Sequence, residues 1–306
     1  MTINGLEQWL YVRLNPRAKG TLLFLHGGPG WADAPWAHFV CADLWNDFNI
    51  VHWDQRGTSR TYSQSNATSQ ESLTVEIMVK DCISVLEYLV DDLRLKKITV
   101  VGHSWGAVLG VLLANRRPEL LKGLVSIGQL VKSSLSEPKS LRYCKKMATE
   151  FGRSDLDKII KKLPPNFYKN VDTLFIQREI LGELNGDFST SVVRNAYQEV
   201  AEGAPENYFM SWEQLNESCM RSVRQLWDEL TQIDFFKKGV DFKVPFLLMQ
   251  GIHDHCTDFE TAQDWFKKIK SSSNKKSIQF DRSSHWPQFE ENEKFVRILK
   301  DWCFKL

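Results

Sequence analysis

The sequence predicts an α/β fold: a mostly parallel central sheet, helices on both faces and an inserted helical cap. Two observations carry this. Short apolar runs alternate with longer helical patterns at both ends of the chain, which is the pattern of a parallel sheet covered on both sides. The alternation stops between about residues 131 and 236, where helical patterns continue without a convincing strand.

Leu22 to Leu25 is a buried-strand run that ends in HGGPG at 26–30. Ile50 to Trp53 is a second, ending in DQRG at 54–57. Residues 71–92 read as a helix, because Met78, Cys82, Val85, Leu86 and Leu89 fall on one helical face. Ile98 to Val101 is a third strand that runs straight into GHSWG at 102–106, and Val108 to Ala114 follows at helical spacing. Leu124 to Ile127, Val244 to Met249 and Ser277 to Phe280 complete the strands. Phe259 to Ile269 reads as a helix, and Phe289 to Phe304 as a closing one.

In the interrupted stretch, Leu156, Ile159, Ile160 and Leu163 are helical, as are Trp212, Leu215 and Cys219. Pro164-Pro165 and Gly203-Ala204-Pro205 punctuate it. The chain therefore divides into a first core part over 1–130, a helical cap over 131–236 and a second core part over 237–306. The serine-rich pieces at 133–136 and 271–273 read as short surface loops.

The chain has 306 residues, 42% hydrophobic and 25% charged, enough for one large core carrying an insertion. A formal net charge of +1 offers no basic field for nucleic acid, so a small-molecule or short-peptide substrate is expected and no nucleic acid. Met1 to Leu14 contains Glu7 and Arg13 and lacks the apolar run of a signal peptide. No stretch approaches the roughly 18 apolar residues that span a bilayer, so no membrane partner is expected. The six cysteines are scattered without a CxxC pair, which suggests reduced thiols and a cytoplasmic protein.

Parallel strands bring the loops at their carboxyl ends to one edge of the sheet. HGGPG, GHSWG, Gly251 to Asp254 and Ser283 to His285 should meet there. Gly102-His103-Ser104-Trp105-Gly106 matches a G-x-S-x-G nucleophile elbow between a strand and a helix. The flanking glycines are needed because strand and helix pack closely at so sharp a turn. A serine hydroxyl needs a base near neutral pKa. Of the seven histidines, His26 and His103 belong to glycine motifs, His38 to a helix and His52 to a strand. His253 and His255 flank Asp254, whereas His285 follows the last strand in a polar loop. His285 is the expected base and Asp254 the acid that orients it, in the order serine, aspartate, histidine. Asp258 is the runner-up acid, more readily explained as a helix N-cap.

The oxyanion needs two N–H donors, one from Trp105 after the nucleophile and one from the HGGPG loop, best placed at Gly28. His253-Asp254-His255-Cys256 lacks a fourth ligand, so no metal and no cofactor are expected. Trp31, Trp36, Trp105 and Trp286, among eleven tryptophans, could line an apolar pocket; Trp31 and Trp286 are candidate substrate-binding residues. Asp54 and Arg56 read as loop-holding ion-pair partners, or as substrate contacts.

With these residues placed, the chain resembles the proline iminopeptidase branch of the α/β-hydrolase fold. The resemblance rests on HGGPG, WDQRG at 53–57, SWG at 104–106, GxxD at 251–254 and SxH at 283–285. It covers the core, about two-thirds of the chain. It implies a serine aminopeptidase acting on short peptides and a helical cap after the sixth strand. Two positions depart from the family pattern: His103 replaces a glycine, and Ser59 stands where DQRG-x-G is usual. An aminopeptidase must hold a free ammonium with carboxylates, and the cap offers Glu179, Glu183, Glu213 and Glu217. Trp212-Glu213 resembles a Trp-Glu of the family's cap, which makes Glu213 the first candidate. The alternatives are a carboxylesterase or thioesterase for a small apolar acyl group, and a non-catalytic binding protein of the same fold.

Overall fold

The computed structural model describes residues 1–65, 73–95, 98–237, 241–271 and 273–306. Its centre is a seven-stranded sheet of β1 (Trp9–Arg13), β2 (Thr21–Leu25), β3 (Asn49–Asp54), β4 (Ile98–His103), β5 (Leu121–Ile127), β6 (Phe246–Gly251) and β7 (Lys275–Phe280). The spatial order is β7-β6-β5-β4-β2-β3-β1. Every neighbouring pair is parallel except β1, which runs antiparallel to β3 at the edge.

The main helices are α1 (Val75–Asp91), α2 (Trp105–Arg116), α3 (Ser133–Glu150), α4 (Ser154–Ile160), α5 (Val171–Glu183), α6 (Ser191–Glu202), α7 (Trp212–Thr231), α8 (Phe259–Lys268) and α9 (Asn292–Cys303). Strands β2, β4 and β6 are buried along their whole length, as strands covered on both faces must be. On one face Leu23, Val51 and Val100 pack with Val85 and Leu86 of α1 and Val108 of α2. On the other, Leu22, Val125 and Leu247 pack with Phe295, Leu299 and Trp302 of α9. Each such side chain contributes about 1.5–3 kcal/mol when fully buried.

Helices α3 to α7 lie between β5 and β6 in the chain. Cys144, Ala148, Leu156, Ile160, Ile180, Leu181 and Leu184 form a small core of their own among α3, α4 and the α5 region. Helix α7 is the anchor. Its Val223, Leu226, Trp227 and Leu230 join the main core. Its Ser218 Oγ donates to Gly30 O and its Ser222 Oγ to Gly57 O, both at 3.1 Å, tying it to the HGGPG and DQRG loops.

Several expectations need correction. β1 lies outside the strands read from the sequence: it is an edge strand in which only Tyr11 is buried. The helical insertion follows the fifth strand of this sheet, not the sixth. Residues 133–136 are no surface loop but the first turn of α3, with Ser133 and Ser136 buried. Of the 271–273 piece, Ser271 pairs in a short parallel bridge with Phe242, and residue 272 lies outside the described residues. The helix expected over 71–92 starts at Val75, behind a Thr74 cap that accepts Ile77 N–H; positions 71–72 lie outside the described residues. The closing helix is broken into a single turn, Pro287–Glu290, and α9. At the break, the carboxylates of Glu290 and Glu291 turn back to bond the loop before it. Among the described residues, no helix is long and apolar enough to cross a membrane.

Candidate active site

The elbow is a matter of steric exclusion. A Cβ on Gly106 would stand 1.9 Å from Leu25 O, and one on Gly102 would stand 2.3 Å from Gly106 O. Both obstacles are backbone, so neither can swing away. Gly106→Ala is therefore expected to cost more than the roughly 1–3 kcal/mol of ordinary overpacking, read as a lowered denaturation midpoint. Between the glycines Ser104 adopts φ 55°, a backbone region that costs a non-glycine residue about 1–3 kcal/mol and persists only when over-determined. The helix α2 that follows and the bond from Ser104 N–H to Ile127 O, 2.8 Å, hold it there.

Trp105 is the first residue of α2, so its N–H has no acceptor within the helix. Its indole Nε1 donates to Gln55 Oε1 at 2.9 Å. Gln55 in turn donates its Nε2 to His26 O and its backbone N–H to His26 Nε2, at 3.3 and 3.2 Å. Gln55 thus fastens the HGGPG loop to the elbow, and with it the relative position of Gly28 and Trp105. Sequence reasoning named its neighbours Asp54 and Arg56 and passed over Gln55. Arg56 pairs with Asp81, Nε to Oδ2 at 2.7 Å. Asp54 accepts Arg60 N–H at 3.2 Å, and burial lifts it to about 7.

His285 Nδ1 lies 2.9 Å from Asp254 Oδ2. Asp254 is buried and accepts five hydrogen bonds. Cys256 N–H and Thr257 N–H go to Oδ1 at 2.9 and 3.0 Å. Gln250 Nε2, Thr257 Oγ1 and His285 Nδ1 go to Oδ2 at 2.7, 2.8 and 2.9 Å. Burial by itself raises this carboxyl, but the charge of His285 and the hydrogen bonds outweigh it and bring it to about 2. An ionised Asp254 requires the proton on His285 Nδ1 and leaves Nε2 as an acceptor. Asp258 instead caps α8 through Thr261 N–H and pairs with Lys139 at 2.7 Å.

His103 donates Nε2–H to His285 O at 2.9 Å, and its ring lies 4.2 Å from that of Trp286. Burial, with His285 close by, lowers it to about 3, so it is neutral. Gly128, at φ 58°, lies against the imidazole; a Cβ there would come 2.9 Å from His285 Cε1. Gly128→Ala is expected to push the ring off Asp254 and lower kcat roughly a hundredfold, the scale of a misplacement near 1 Å. Steady-state rates against thermal stability would check it.

Ser104, Trp105, Gly28 and His285 open onto one cavity of about 910 Å³, walled also by residues of α5, α6 and α7. Trp31 and Trp286 line it, and Leu174, Phe175, Val223 and Trp227 make most of its wall apolar. Glu213 does not line it. That residue sits exposed in the first turn of α7, which turns Trp212, Asn216, Cys219 and Val223 to the cavity instead. Glu217 accepts the Tyr62 hydroxyl at 2.9 Å on the outside. Glu179 and Glu183 border the cavity, Glu183 in a 2.6 Å pair with Arg153. The carboxylate missed in the sequence is Glu137 of α3. It is fully buried, lines the cavity, and accepts Arg178 Nη2–H at Oε1, 2.5 Å. Its Oε2 has no hydrogen-bond partner among the described residues. Only folding brings it there: in the sequence it directly follows the serine-rich piece at 133–136 that reads as a surface loop.

Asp254, Cys256 and His285 present three ligand atoms within 4.8 Å of one another. The Asp254–His285 hydrogen bond and the Cys256 N–H donated to Asp254 account for that closeness. All six cysteines are free thiols.

Residues 20–292 match the α/β hydrolase fold family, so the chain belongs to that family. It is 26% identical over 301 residues to a probable aminopeptidase, YbaC, of Bacillus subtilis (strain 168), covering 98% of this chain and 93% of that one. The proline iminopeptidase of Mycobacterium smegmatis superposes with a TM-score of 0.61 at 20% identity, covering 99% and 96% of the two chains. An esterase from Exiguobacterium antarcticum also gives 0.61, at 16% identity and 97% and 96% coverage. At these identities the two structures establish the shared fold. What the family match and the relatives support in common is a hydrolase.

Proposed function

We propose that the protein is a serine hydrolase that removes the amino-terminal residue of short peptides or aminoacyl amides, an aminopeptidase of proline iminopeptidase type. The observation that carries the chemistry is the 2.9 Å contact of His285 with a buried, ionised Asp254, in the same cavity as the elbow serine. In this reading Ser104 Oγ attacks the substrate carbonyl carbon and His285 Nε2 takes its proton. Trp105 and Gly28 N–H groups receive the developing oxyanion. The tetrahedral adduct collapses as His285 returns the proton to the departing amine. Water, deprotonated by His285, then cleaves the acyl-serine ester and frees the enzyme. No metal or cofactor takes part. The free thiols accord with a cytoplasmic setting.

The choice of an amine substrate is supported by Glu137, a residue lining the cavity whose buried Oε2 has no donor among the described residues. A substrate ammonium would supply one. Glu137→Gln keeps an acceptor for Arg178 while removing the charge. It is expected to lower kcat/KM for free-amine substrates roughly tenfold to a hundredfold, the worth of a charged hydrogen bond, and to leave N-acetylated analogues unchanged. Equal effects on both would remove this role. The second reading, a carboxylesterase or thioesterase, is favoured by the largely apolar wall. Turnover of aminoacyl amides with and without a free amine separates the two: the aminopeptidase reading requires that N-acetylation abolish cleavage.

A further inference from the structure

The loop that carries His285 is held by groups that the proposed chemistry does not use. Ser284 N–H and Trp286 N–H, on either side of the histidine, both donate to Glu290 Oε1, at 2.9 and 3.2 Å. His285 N–H donates to Asp187 O at 3.0 Å. The second oxygen of Glu290, Oε2, accepts Ser189 N–H at 2.8 Å. Asp187 and Ser189 belong to the segment joining α5 to α6, so they are part of the cap. One carboxylate therefore spans from the backbone of the base to the backbone of the cap. Ring stacking follows the same line: Trp286 lies parallel to Phe188, with centroids 5.7 Å apart.

We propose that Glu290 is a positioning residue for His285, fixing the imidazole over Ser104 and coupling its position to the seating of the cap. The inference rests on the reading of His285 as general base. Its physical basis is the number and kind of the bonds. Hydrogen bonds to an ionised acceptor are roughly twice as strong as neutral ones, and here three backbone donors share one half-buried carboxylate. Side chains alone cannot fix the base, since the Asp254 contact restrains only one ring nitrogen. The backbone on both sides of residue 285 must also be pinned, and Glu290 pins it. Glu291 holds the preceding part of the loop, accepting Arg282 N–H and Ser283 Oγ at 3.0 and 2.7 Å, but it does not reach the cap linker.

The test uses Glu290→Ala and Glu290→Gln in the full chain, with active sites counted by complete fluorophosphonate labelling so that misfolded protein does not enter the rate. The alanine variant should lose roughly a hundredfold in kcat per labelled site, with KM changed by less than about threefold. Sodium formate should restore part of that loss, since a small carboxylate can occupy the vacated space and accept the same N–H groups; it should not affect the wild type. The glutamine variant keeps one acceptor oxygen but turns an amide donor toward the N–H groups on the other side, and should fall between the two. If kcat per site stays within about threefold of the wild type in both variants, the proposal is overturned. It is equally overturned if KM rises with kcat unchanged, or if formate leaves the alanine variant unimproved. Failure of the wild type to take the label on Ser104 would instead remove the serine mechanism, and is read first.

Discussion

Ser104→Ala is expected to lower kcat on the order of 10⁶-fold, the scale seen when a nucleophile that acts as a unit with its base is removed. The substitution should leave the fold intact. The elbow is imposed by the two flanking glycines and by the bond from residue 104 N–H to Ile127 O, none of which involves the hydroxyl. Alanine accepts the same strained backbone as serine. The predicted combination is therefore an unchanged melting temperature with hydrolysis lost. A small residual rate should survive from Gly28 and Trp105, whose N–H groups are untouched. Adding His285→Ala to Ser104→Ala should cost nothing further, because neither group acts without the other. Steady-state turnover of an aminoacyl amide, beside a thermal melt, measures all of this.

Asp254→Asn should lower kcat on the order of 10⁴-fold near neutral pH. The reason is tautomeric. An amide NH₂ facing His285 Nδ1 would place the imidazole proton on Nε2, the atom that must accept from Ser104. The site also opposes the amide from the other side. Both carboxylate oxygens already face donors: Gln250 Nε2, Thr257 Oγ1 and two backbone N–H groups. One amide orientation or the other leaves donors facing donors, at about 1–3 kcal/mol of stability. A 10⁴-fold rate loss corresponds to about 5.5 kcal/mol at 1.36 kcal/mol per decade, so the catalytic effect should exceed the destabilisation. Rates corrected for folded fraction would show this. A variant whose lost activity is fully explained by unfolding would contradict the tautomer argument.

Much of the sheet is legible in the sequence because its central strands are buried on both faces and so read as continuous apolar runs. β1 escapes because an edge strand needs only part of its surface covered. Ser104, Asp254 and His285 can be found in the chain because each stands where a strand ends, and parallel strands end at one edge. The groups that hold them there could not be found this way. Gln55 and Glu137 act across sequence separations that only folding closes, as does the bond from Glu290 to Ser189 N–H, and each is polar on a segment that otherwise reads as loop or exposed helix. The same logic explains the misplacement of Glu213. A motif can name a residue on such a helix, but which face of it turns to the cavity depends on packing, and Trp212, Asn216 and Cys219 occupy that face of α7.

A hydroxyl made reactive by a neighbouring imidazole is read directly by covalent trapping. The full-length protein is treated with a fluorophosphonate, and the adduct is located by peptide mass mapping in the wild type and in His285→Ala. A single adduct on Ser104 in the wild type, nearly absent from the variant, is the predicted result. No adduct, an adduct on another residue, or equal labelling of both proteins would contradict it.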